Sequence, residues 1–193
     1  MKKVVLLLLI FILISGAVFS ADLTTYPQCL EAGDIIFDAG LGLAYTGYLN
    51  GGSSMSIPPL FAIAEYCLPV ELPISVGATF AIFQHKWKGR LVNNDDIYTL
   101  KYTTIFAGIR GNYHFNIDVD ALDLYAGLTI GYRNVSTKYN PKPPASLGWV
   151  ERELSTILAG AQVGARYYFT STIGAMAEIG YPYIIKGGIA LKF

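Results

Sequence analysis

Ten ionisable residues fall on the polar side of an alternating sequence: Asp34, Asp38, Glu65, Arg110, Asp123, Arg133, Arg166, Glu178, Lys186 and Lys192. Both signs of charge are present. If the segments carrying them close into one sheet, these side chains share a confined interior. An unpaired charge is costly there, so they are expected to pair. Arg110 and Arg166 fall in mid-segment, and their expected partners are Glu178, Asp38 or Glu65. Such a set can fill a lumen as a mutually neutralising plug, line a gated conduit or serve an active site. The plug is the simplest of the three. His85 and His114 are the only histidines, and they fall at opposite ends of their segments, too far apart in height for one metal site. No metal and no cofactor are expected.

The elements that position these residues alternate with period two, the mark of strands with one apolar face. The last residues show it most clearly. Phe193, Leu191, Ile189, Gly187 and Ile185 alternate with Lys192, Ala190, Gly188 and Lys186 up to the final atom. Chain ends usually fray, whereas a strand that closes a sheet on itself cannot. Seven further segments read the same way. They run from Gly33, Leu60, Ile74, Tyr98 and Leu122, then around Ile157 and Ile173. Polar or proline-rich loops at 50–59, 88–97 and 137–153 alternate with tight turns at 69–73, 116–121 and 170–172. The predicted fold is all-β, an eight-stranded antiparallel up-and-down transmembrane β-barrel.

Alternation alone does not say which face is outside. Three features do. The polar face is rich in glycine (40, 42, 77, 108, 127, 131, 160, 164, 174, 180 and 188), which suits a crowded lumen better than a solvated exterior. Aromatics of the apolar face gather at strand ends: Tyr45, Tyr66, Tyr113, Phe115, Tyr132, Tyr167, Phe169, Tyr181 and Phe193. Such girdles mark bilayer interfaces, and short turns on one side with polar loops on the other follow the same pattern.

The chain starts Met1-Lys2-Lys3, continues apolar to Ile14 and leaves through small residues to Ser20. That is the order of a secretory signal peptide. The expected organisation is a signal peptide at 1–20, a polar periplasmic lead-in at 21–32 and the barrel at 33–193. A secreted chain with two cysteines favours a disulfide between Cys29 and Cys67; the alternative is two free thiols. Of the 193 residues 14 are basic and 14 acidic, and no basic patch interleaves with aromatics, so nucleic acid is not a partner.

The signal peptide, the eight alternating segments and the terminal Gly187-Gly188-Ile189-Ala190-Leu191-Lys192-Phe193 resemble the eight-stranded outer-membrane barrels of the OmpA/OmpX type. The resemblance covers about residues 33 to 193. It implies the bacterial outer membrane, with lipid including lipopolysaccharide as surroundings. It also implies that Ile189, Leu191 and Phe193 form the signal read by the outer-membrane assembly machinery. No peptidoglycan-binding domain is expected. Some barrels of this size modify lipid A with a His, a Ser and an acidic residue. His85, Ser54 and Asp95 or Asp96 supply those types, without a supporting motif. The expected role is structural or adhesin-like, not enzymatic, with a monomeric barrel offering its loops to an extracellular ligand. A small solute or ion channel is the alternative, and a lipid-modifying enzyme the next.

Overall fold

β-Branched and aromatic residues at every second position favour a pleated surface with one greasy face. The chain builds strands from such runs. The computed structural model describes residues 25–42, 53–90, 97–117, 119–140, 153–180 and 185–193. Its strands are β1 (Ile35–Gly42), β2 (Ser53–Cys67), β3 (Ile74–Arg90), β4 (Ile97–Phe115), β5 (Leu122–Asn140), β6 (Glu153–Tyr168), β7 (Ile173–Gly180) and β8 (Ile185–Lys192). All pair antiparallel with their sequence neighbours, and β1 pairs with β8 to close the barrel. Closure removes both sheet edges, so every strand has a partner on each side. Phe193 joins the closure. Its N–H donates to the Ile35 carbonyl and its carbonyl accepts from the Ile35 N–H, both at 2.9 Å.

The strands are longer than the sequence suggests. Residues 53–59 were expected in a loop but continue β2, pairing Ser53 with Trp87 and Met55 with His85. The register shifts on both sides of Ile57, next to Pro58 and Pro59, which have no N–H to offer the ladder. Likewise β3 and β4 pair out to Arg90 and Ile97, β5 reaches Asn140 opposite Thr99 of β4, and β6 begins at Glu153 opposite Ser136. The expected loops therefore shrink to 91–96 and 141–152, which lie outside the described residues. So do the signal peptide, Tyr45, Tyr181, Asp95 and Asp96.

The apolar face is outside. Ile109, Leu128, Ile157, Val163, Ile179 and Ile189 are all more than half exposed. Among the described residues no helix is long and apolar enough to cross a membrane; the strands make the span. The inner face is not uniformly polar. Phe61, Ile63, Ala81, Phe83 and Phe106 are buried and form an apolar tier toward the long-loop end. The charged tier lies below it, toward the short turns.

Glycines make room for the bulk inside. Gly164 faces Tyr125 across the β5–β6 ladder, and a methyl group there would run into the Tyr125 ring. At the mouth on the short-turn side, Gly33 turns the chain with φ 98°, a conformation that side chains resist. We expect Gly164→Ala to destabilise the barrel by about 1–3 kcal/mol through overpacking. The midpoint of the folded-to-unfolded gel shift in urea measures it; an unchanged midpoint would show that the ring has room.

Candidate functional site

Arg166 of β6 is the centre of the charged tier and is fully buried. Its Nε lies 3.1 Å from both Asp38 carboxylate oxygens, and its Nη2 lies 2.7 Å from Asp38 Oδ2. The same Nη2 reaches Glu65 Oε2 at 3.0 Å, and Nη1 reaches Asp123 Oδ2 at 2.9 Å. The guanidinium plane also sits over Tyr125, with Cζ 4.2 Å from the ring centroid. Arg110 of β4 is the second hub. Its Nε is 2.8 Å from Glu65 Oε1 and its Nη2 is 2.7 Å from Glu178 Oε2. Glu178 also pairs with Lys186 and accepts from the Tyr125 hydroxyl at 3.0 Å. Neutral groups extend the chain: Thr129 donates to Gln162, Gln162 to Asn112, and Asn112 to Glu65.

His114 joins this tier at the short-turn end. Its Nδ1 is 2.7 Å from Asp123 Oδ1 and its Nε2 is 2.9 Å from Ser75 Oγ. Ser, His and Asp at these distances have the outline of a nucleophile, its base and an orienting carboxylate. The Ser75 hydroxyl is turned to Glu65 Oε2, donating at 3.1 Å, and Ser75, His114 and Asp123 are all sealed from solvent. The same buried tier sets Asp38, Glu65, Asp123 and Glu178 against Arg110, Arg166 and Lys186.

Nine of the ten residues singled out from the sequence lie close to one another or to the mouth. Seven (Asp38, Glu65, Arg110, Asp123, Arg166, Glu178 and Lys186) share the network above. Asp34 and Lys192 face each other at 3.6 Å at the rim. Arg133 stands apart on β5, higher in the barrel, in register with Phe106 and Thr156. Ser54 is exposed on β2 and pairs in register with Lys86. His85 is buried, its ring stacked on Tyr102 at 4.7 Å. Ile189 and Phe193 face outward and Leu191 is half-buried beside Ile173. Among the described residues no group of three or more His, Cys, Asp or Glu could hold a metal ion.

The expected Cys29–Cys67 bridge is not formed; both are free thiols. They behave instead as small hydrophobes in one apolar cluster with Leu30, Ile36 and Tyr168. Burial, with the charge of Asp123, pushes the Cys29 thiol up to about 12. The surrounding segment was read as a polar lead-in, yet it folds across the barrel mouth. The Tyr26 hydroxyl lies 3.0 and 2.6 Å from the carbonyl oxygens of Leu68 and Ile74, and its ring is 5.9 Å from His114. Leu30 is buried, and Lys192 Nζ donates to the Cys29 carbonyl at 2.8 Å.

The closed eight-stranded sheet and its apolar exterior define a membrane-spanning β-barrel, with the fold of the outer-membrane barrels of the OmpA/OmpX type. No protein-family model matches the chain, and no curated protein matches it. Solved structures do. The outer membrane protein OprG from Pseudomonas aeruginosa is similar at a TM-score of 0.54 and 13% identity, over 86% of this chain and 99% of that one. The N-terminal β-barrel domain of Pseudomonas aeruginosa OprF gives 0.47 and 14%, over 84% and 98%. Ail, the attachment invasion locus protein of Yersinia pestis, gives 0.46 and 15%, over 84% and 100%. At these identities the likeness is one of fold.

Proposed function

We propose that this protein is a closed barrel that acts at the cell surface, in a structural or adhesin-like role, through the loops between its long strands. The observation that carries this reading is the obstructed lumen. Side chains from all eight strands meet in one hydrogen-bonded tier. An apolar tier lies above it, and the 25–33 segment lies across the mouth below. An eight-stranded barrel is about filled by its own side chains. Solute flow would require breaking buried ion pairs, which is costly in so dry an interior.

The exterior supports the same reading. β3 to β6 run 16 to 19 residues, where a tilted span needs roughly 9–11. Their surplus lies at the long-loop end, beyond the length that a span requires. A ligand for those loops, reading of Ile189, Leu191 and Phe193 by the assembly machinery, and a monomeric state belong to this proposal. The sealed Ser75–His114–Asp123 group supports a non-enzymatic role.

In planar lipid bilayers the purified, folded protein is expected to give no stable open channel. Large, long-lived conductance steps would overturn the closed-barrel reading in favour of a solute or ion conduit.

A further inference from the structure

The outward faces of β3, β4 and β5 change character toward the long-loop end. From the short-turn end they are apolar through Ile82, Ile105 and Tyr132, β5 turning polar one row earlier at Asn134, opposite Ile105. Then comes the polar row Gln84–Thr103–Ser136, followed by Lys86–Lys101–Lys138. The registers are direct: Lys86 opposes Lys101, and Lys101 opposes Lys138. Lys88 stands one step further out on β3, exposed. Like charges set directly across adjacent strands repel and destabilise a sheet. Among the described residues no carboxylate pairs with these three. Among the described residues the carboxylate nearest in register, Glu153, lies one row lower, opposite Ser136. Three lysines abreast make sense if an anion lies between them.

Their height says which anion. The row stands four residues beyond Ile82 and Ile105. At about 3.3 Å per residue and a tilt of about 40°, that is roughly 10 Å above the apolar band. Headgroups occupy that layer, and a lysine ammonium can lean several ångströms back toward it on its flexible stem. We propose that Lys86, Lys101 and Lys138 form a binding row for the phosphate groups of outer-leaflet lipid headgroups. The row gathers phosphorylated lipid against the β3–β5 side of the barrel, where those phosphates neutralise the repulsion between the lysines. The orientation rests on the function proposed above, with the long-loop end outward; the closed lumen plays no part in it.

The test compares the wild-type barrel with a Lys86→Gln, Lys101→Gln, Lys138→Gln triple variant in nanodiscs. One set of discs contains bisphosphorylated lipid A, one dephosphorylated lipid A and one phosphatidylcholine alone. Gel-shift folding is checked first; the substitutions are on the exterior, beyond the apolar band. Lipid retained on the protein is read by native mass spectrometry, and the thermal midpoint is read in each disc. The wild type is expected to retain phosphorylated over dephosphorylated lipid A by about tenfold or more, and the triple variant to lose that preference. The triple variant should also melt higher than wild type in phosphatidylcholine, where repulsion is unrelieved, and lower in phosphorylated lipid A. Equal preference in the two proteins, or none in the wild type, overturns the proposal. Conductance is measured separately, so an open lumen would overturn the closed-barrel reading and leave this result standing.

Discussion

A guanidinium with no access to water must find its counter-charges inside the protein, and Arg166 is such a group. Its partners come from β1 (Asp38), β2 (Glu65) and β5 (Asp123). Arg110 on β4 ties β2 to β7, Lys186 ties β8 to β7, and Ser75 brings in β3 through His114 and Glu65. Every strand thus contributes to one buried network. A slip of one residue in any ladder would turn that strand's charged group toward lipid. The network is a poor source of net stability, because desolvating the ions offsets most of their attraction. Its effect is on register: only one pairing of the eight strands leaves no charge alone.

The exterior obeys the complementary constraint. Bilayer hydrocarbon cannot satisfy backbone hydrogen bonds, so the sheet must close. The last pair, Ile35 with Phe193, completes the seam at the chain's final residue. Aromatic pairs at the short-turn end, Tyr113 with Phe115 at 5.1 Å and Tyr167 with Phe169 at 5.6 Å, stand at the lower interface. At the other end the apolar band gives way to polar and then basic rows. The barrel is layered along its axis both inside and out.

Much of this was legible in the sequence because period two is a strong signal over eight segments. Strand count, the inward placement of Asp38, Glu65, Arg110 and Arg166, and the crowding signalled by glycine all follow from it. Strand ends were not legible. Residues 53–59, 88–90 and 137–140 are polar or proline-containing, and such a run reads as a loop until its partner strand is known. The same holds for the lead-in: Tyr26 and Leu30 carry no periodicity, and only the mouth they cover explains them. His114 was assigned no partners: the ten charged residues of the inner face already balanced, five acidic and five basic, so no count pointed to it. The lysine row needed register, which only the paired strands supply. The missing Cys29–Cys67 bridge shows the limit of compartment arguments, since an apolar cluster accommodates thiols equally well.

The central claim is that the buried charges act as one coupled network and not as separate, dispensable pairs. A double-mutant cycle on Arg166→Met and Asp38→Asn, with unfolding free energies measured in lipid vesicles by urea titration, tests it most directly. If the network is coupled, the double variant loses much less stability than the two single variants summed, with an interaction energy of about 2 kcal/mol or more. Losses that add to within about 0.5 kcal/mol would mean that the two groups are independent, and the account would fail.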